Sequence, residues 1–141
     1  MRRPVALLCL LLLAAGCSDD STMAPEEAGV FLNSRRPIYR PGDALEFFLL
    51  NGTDHSIAWS SCGGHVDWYE RSGNEWTNVS GLCAEWPPHI ELISPRRTLK
   101  IFTNYYTGSP QGEYRVGAYI CDEKGENCET VFSDPFLLHS N

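Results

Sequence analysis

From Glu113 to Cys121 the side chains alternate, which places Tyr114, Val116, Ala118 and Ile120 on one side of an extended chain. That two-residue repeat belongs to a strand with one buried face; a helix, repeating every 3.6 residues, does not produce it. Shorter stretches of similar character surround it. Residues 30–32, 57–59, 66–70, 75–79, 89–93, 99–103, 128–132 and 136–138 carry aromatic, β-branched and other apolar side chains, and polar breaks divide them. Residues 44–51 (ALEFFLLN) are almost wholly apolar and are expected to form a central strand covered on both sides. Arg40-Pro41-Gly42-Asp43, Ser72-Gly73-Asn74 and Gly125 supply turn chemistry between neighbours. No window of the domain carries apolar spacing at i, i+3, i+4 and i+7 long enough for a helix. The expected fold is all-β, an antiparallel β-sandwich of about eight or nine strands.

One segment is more specific. Gly112-Glu113-Tyr114-Arg115-Val116 resembles the start of strand F in immunoglobulin-like domains, where a tyrosine lies two residues before an inward position. The resemblance implies that the Tyr114 hydroxyl bonds to nearby backbone. Val116 stands where an antibody domain has its cysteine, so the usual inter-sheet disulfide is missing. The layout from Tyr39 to Leu138 also resembles immunoglobulin-like domains of bacterial lipoproteins, and among named families the BsuPI-type proteinase inhibitors. In those, Tyr-x-x-Gly-Asp leads into a strand ending in Asn, as Tyr39-Arg40-Pro41-Gly42-Asp43 leads to Asn51 here. The activity this implies is protease inhibition through an exposed loop, with Trp86-Pro87-Pro88 or residues 107–112 as candidates.

The N-terminal region reads as an address. Arg2 and Arg3 precede an unbroken apolar run from Val5 to Gly16, and small residues lead to Cys17. A charged start, a short apolar core and a small-residue cut site make an export signal. The run is too short to span a bilayer, which needs about 20 residues. Ala14-Ala15-Gly16-Cys17 resembles the lipobox of bacterial lipoproteins, in which the cysteine is lipidated and becomes the first mature residue. The expected organisation is a signal peptide over 1–16, a lipidated flexible tether over 17–28 and the sandwich over 29–141. Residues 18–28 (SDDSTMAPEEA) are polar and acidic, as a tether requires. By resemblance to lipoprotein sorting, Ser18 after the cysteine permits an outer-membrane destination. The expected location is the bacterial cell envelope.

Charge narrows the partners. Arg2 and Arg3 leave with the signal, so the mature chain holds 9 Lys/Arg against 18 Asp/Glu, a net −9. An acidic surface without a basic cluster repels phosphate backbones, which excludes nucleic acid as the expected partner. Membrane attachment is expected to rest on the lipid, not on anionic headgroups. With Cys9 removed and Cys17 acylated, Cys62, Cys83, Cys121 and Cys128 remain, an even number in an exported chain and hence a disulfide framework. The expected pairs are Cys62–Cys83 and Cys121–Cys128. Placing Cys121 opposite Cys128 on a hairpin puts their Cα atoms about 4.5–5.5 Å apart. The same register sets Tyr119 opposite Thr130 and Arg115 opposite Asp134, with a bulge near Pro135 able to shift its far end. The chain-entropy model assigns roughly 2.5 kcal/mol to this short loop.

Catalytic chemistry is not indicated. Ser60, Ser61, Ser109 and Ser133 lie in no Gly-x-Ser-x-Gly context, and His55, His65, His89 and His139 are scattered singly. Asp122, Glu123, Glu126 and Glu129 crowd one hairpin without EF-hand offsets, so a solvated tip is expected and no metal or other cofactor. Aromatic side chains are the remaining resource. Trp59 and Trp68 are expected in the core. Trp86, beside two prolines, and Tyr105 and Tyr106, beside a Gly-Ser-Pro loop, are expected on a binding surface. The expected function is that of a non-catalytic, monomeric, lipid-anchored protein binding an envelope protein, a protease or a glycan.

Overall fold

The computed structural model describes residues 28–81, 88–105 and 111–139, the side chains of 104 and 105 excepted. Eleven strands follow in order: β1 (Val30–Ser34), β2 (Ile38–Tyr39), β3 (Ala44–Asn51), β4 (Ile57–Ser61), β5 (Asp67–Ser72), β6 (Glu75–Asn78), β7 (His89–Ile93), β8 (Arg97–Tyr105), β9 (Gly112–Asp122), β10 (Glu129–Phe132) and β11 (Phe136–Leu138). There is no helix among the described residues. One sheet runs β1-β3-β8. The larger runs β2-β11-β9-β4-β7, with β10 and β5 also on β9 and β6 on β5. Leu32, Phe47, Leu49 and Ile101 from the first sheet meet Trp59, Val116, Ile120 and Phe136 from the second in one core. This is an immunoglobulin-like β-sandwich. It has eleven strands where about eight or nine were expected. The two-residue β2 is too short to show alternation, and its pairing with β11 is parallel in an otherwise antiparallel fold.

Strand β9 is the spine of the larger sheet. One edge carries β4 and then β5, the other β10 and then β11. Tyr114, Val116, Ala118 and Ile120 are all buried, as the alternation requires. Thr130 lies opposite Tyr119, the expected register. Arg115 is not paired with Asp134, however. The ladder stops at Phe132 opposite Gly117 and resumes at Phe136 opposite Tyr114, a slip of one residue. Pro135 has no N–H to donate, so the chain leaves the ladder there. Ser133 bridges the gap, its N–H donating to the Val116 carbonyl (2.9 Å) and its Oγ accepting from the Val116 N–H (3.1 Å).

Strand β3 is central in its sheet but is not covered on both sides. Leu45, Phe47, Leu49 and Asn51 face inward and are buried, whereas Phe48 and Leu50 on the other face are only half-buried. Next to Phe48 on that face, Glu46 is held by Lys100 (2.6 Å) and by Arg35. Those two cations hold its carboxyl below the ordinary glutamate range. Tyr39, which is fully buried, makes a backbone-directed bond. Its hydroxyl donates to the Glu46 carbonyl (3.2 Å) and accepts from the Arg36 N–H (3.3 Å). The Tyr114 hydroxyl also donates to the Glu70 carboxylate (3.2 Å).

Asn51 joins the two sheets where β3 ends. Its side chain is fully buried, and its amide N–H groups donate to the carbonyls of His55 (2.8 Å), Ile93 (3.0 Å) and Ser94 (3.2 Å). Its amide oxygen accepts from the Thr53 N–H (3.1 Å) and hydroxyl (2.6 Å). A buried group so fully paired fixes one geometry, and an apolar substitute leaves several backbone groups stranded. Asn51→Leu is expected to lose about 3 kcal/mol. Urea unfolding checks this: the midpoint should fall with an unchanged slope, and an unaltered midpoint would refute the role.

Candidate binding face

The core-directed residues of β9 leave Arg115, Gly117 and Tyr119 on the outer face of the larger sheet. Three rows lie side by side there, set by register. Tyr69 is opposite Arg115; Asp67 and Phe132 flank Gly117; Ser60 and Thr130 flank Tyr119. Gly117 is required at the centre. A Cβ there would lie 3.0 Å from Tyr69 Cε2, 3.0 Å from Thr130 Cγ2 and 3.2 Å from Phe132 Cε1. The missing side chain lets these groups close over the strand.

Arg115 sits among the rings. Its guanidinium carbon is 3.8 Å from the centroid of Phe132, 4.6 Å from Trp76 and 5.7 Å from Tyr69. Tyr69 and Phe132 meet edge to face at 5.1 Å. Trp76 arrives on the β5–β6 hairpin, whose turn uses Gly73 at φ 63°. Arg71 pairs with Glu113 (2.8 Å) and approaches the same Trp76 ring at 5.9 Å. A cation on a ring contributes about 0.5–2 kcal/mol, so this cluster holds the hairpin against β9. The Arg115 Nε is buried and has no hydrogen-bond partner. Phe132 and Tyr119 remain 38% and 45% exposed.

Beside the rings, where β4 gives way to β5, lies a depression of about 240 Å³ bordered by Ser60, His65, Asp67, Pro88, Gly117 and Tyr119. Burial pushes the Asp67 carboxyl above the ordinary aspartate range. Among the described residues, no three His, Cys, Asp or Glu side chains gather to hold a metal ion.

Of the residues singled out by sequence, Cys121 and Cys128 are joined, with Cα atoms 4.0 Å apart. Cys62 is also disulfide-bonded; Cys83, its expected partner, lies outside the described residues. Cys17, Trp86 and Tyr106 lie outside them as well. Tyr105 ends β8, and its side chain is outside the described set. Trp59 is buried in the core, and Trp68 packs edge-on against Phe47, Phe136 and Tyr114 at 5.6–6.1 Å. The acidic hairpin is a turn built on Asp122. Its carboxylate accepts from the N–H groups of Lys124 (3.0 Å) and Glu126 (2.8 Å) and from the Asn127 amide (2.8 Å). The bond from Glu126 does most to keep its carboxyl below the ordinary aspartate range. His55 and His89 lie beside Asp54 and Glu91, and His65 borders the depression.

The outer-face cluster of Tyr69, Trp76, Arg115 and Phe132 was not among the expected binding residues. Its signal was the other half of the β9 alternation, Arg115, Gly117 and Tyr119, a glycine between two large side chains. No protein-family model and no curated protein matches this chain. Among solved structures it is similar to a putative ApaA protein from Bordetella pertussis, with 17% identity, a TM-score of 0.46, and coverage of 79% of this chain and 90% of that one. It is also similar to a PapD-like domain of human CEP192 (PapD-like domain 7), with 14% identity, a TM-score of 0.39, and coverage of 82% and 87%. These likenesses are distant, and the chemistry of the face follows from its own residues.

Gly117→Val adds bulk where no Cβ fits and is expected to lose about 1–3 kcal/mol while separating the rings. Urea unfolding and near-ultraviolet circular dichroism check this together. A native aromatic spectrum at native stability would contradict the packing described.

Proposed function

We propose that this chain is a non-catalytic, lipid-anchored protein of a bacterial cell envelope that binds another envelope protein through the outer face of its larger sheet. The observation that carries the binding reading is the gathering of Tyr69, Trp76, Phe132 and Tyr119 around Arg115 and Gly117 on one face. Protein interfaces concentrate Tyr, Trp and Arg in this way, because large rigid side chains bury much area at low entropic cost. The address rests on the lipobox-like Ala14-Ala15-Gly16-Cys17 and on the acidic tether after it. A single lipid chain binds membranes only marginally, so stable attachment calls for more than one acyl chain at Cys17.

The resemblance to BsuPI-type inhibitors supplies the rival reading. A protease inhibitor presents a loop to a cleft, whereas the face described here is a sheet surface. Trp86, Pro87 and residues 107–110, which would carry such a loop, lie outside the described residues.

In-cell photocrosslinking of the full lipidated chain tests the proposal. Tyr119→Ala with Trp76→Ala should cut crosslinked partner at least about tenfold while the protein stays folded. Cys17→Ser should move the chain from the membrane to the soluble fraction and abolish lipid labelling. Undiminished crosslinking by the double variant would overturn the binding face. Unchanged lipid labelling in Cys17→Ser would overturn the anchor, and stoichiometric inhibition of a serine protease would favour the rival.

A further inference from the structure

Seven acidic side chains among the described residues are at least partly buried: Asp43, Glu46, Asp67, Glu70, Glu91, Glu113 and Asp122. Six of them have partners. Asp43 pairs with Arg36, Glu46 with Lys100 and Arg35, Glu91 with His89 and Glu113 with Arg71. Glu70 accepts from the Tyr114 hydroxyl, and Asp122 caps its own turn. Asp67 alone has neither an ion pair nor a side-chain hydrogen bond among the described residues. The nearest cation in register, Arg115, is only one ladder step away yet is held among Phe132, Trp76 and Tyr69. A half-buried carboxylate without a partner is a costly arrangement for a fold to keep unless something outside the chain completes it.

We propose that the depression beside Gly117 receives one lysine or arginine side chain of a polypeptide partner, its cationic head on Asp67 and its stem along Tyr119. This rests on the binding-face reading above and names the partner's chemistry. Size decides between a side chain and a free ligand. At about 240 Å³ the depression falls below the roughly 300–1,000 Å³ of small-molecule sites. Shape agrees, because Tyr119 on the border of the depression, 45% exposed, offers an apolar ring to a methylene stem and a π-face to the cation. Charge agrees as well. A mature chain of net −9 draws cations at long range and discourages acidic partners. Burial raises the Asp67 carboxyl above the ordinary aspartate range, the direction that an approaching cation reverses.

The test uses the isotope-labelled full chain in detergent micelles, titrated with Nα-acetyl-lysine methylamide and Nα-acetyl-arginine methylamide. The neutral controls are Nα-acetyl-glutamine methylamide and glucose. The cationic probes should shift the Asp67, Gly117 and Tyr119 amide resonances at concentrations at least about tenfold lower than the neutral ones, and less so in high salt. Asp67→Asn should abolish that preference, and Asp67→Glu should keep part of it. The variants' own spectra report whether they are folded. The proposal is overturned by equal shifts from glutamine methylamide, by stronger shifts from glucose, by a native titration of folded Asp67→Asn, or by no shift from either cationic probe. If it fails while the Tyr119/Trp76 double variant still loses its crosslinks, the binding face stands and only the cationic partner is wrong. If those crosslinks also persist, the binding face is wrong too.

Discussion

Every side chain of a strand points to one face of its sheet or the other, and in β9 that restriction governs the whole molecule. The strand has ladder partners along both edges, so neither of its faces can turn away by twisting an edge outward. Tyr114, Val116, Ala118 and Ile120 therefore have to fill the space between the sheets. Arg115, Gly117 and Tyr119 are left to define the outer surface. The core and the outer face are two sides of one strand. A register shift of one residue would exchange them and destroy both.

Polar groups follow the same division. Inside, the Asn51 amide is satisfied from every direction and ties β3 to the end of β7, and Tyr39 closes its hydroxyl onto the backbone. The division is not complete, because the Thr103 Oγ1 on β8, opposite the inward-facing Leu45, is also buried with no hydrogen-bond partner among the described residues. On the outer face, Asp67 has no ion pair or side-chain hydrogen bond among the described residues, and the Arg115 Nε, covered by rings, has none there either. Gly117 lies between the two, its missing side chain replaced by the packed side chains of Tyr69, Thr130 and Phe132.

The core was legible because it depends on local pattern. The alternation of β9, the hairpin to β10 with Tyr119 opposite Thr130, and the Cys121–Cys128 bridge all follow from neighbours in sequence. The outer face was not, because it is assembled from a distance. Tyr69 and Asp67 reach β9 only because β4 and β5 share one of its edges, a pairing that no spacing between residues 57 and 72 announces. Arg115 was expected opposite Asp134. The break at Pro135 ends the β10 ladder before that row, and the guanidinium turns instead to rings on β5, β6 and β10. Asn51 was visible as the last residue of its strand, but its carbonyl partners, Ile93 and Ser94, lie more than forty residues further along the chain. The hydroxyls of Tyr39 and Tyr114 meet the Glu46 carbonyl and the Glu70 carboxylate respectively. Whether a tyrosine hydroxyl meets backbone or a carboxylate depends on which chain crosses above it.

The division of labour within β9 is tested most directly by scanning residues 114 to 120 with two readouts on the same variants: thermal unfolding and crosslinked partner yield. Substitutions at Tyr114, Val116, Ala118 and Ile120 should lower both together, because they disrupt the sandwich itself. Tyr119→Ala should lower partner yield several-fold while leaving the unfolding midpoint within a few degrees of native. If the outward variant lost stability and binding in the same proportion as the inward ones, or if it left partner yield untouched, the strand would not carry the two separate functions assigned to it.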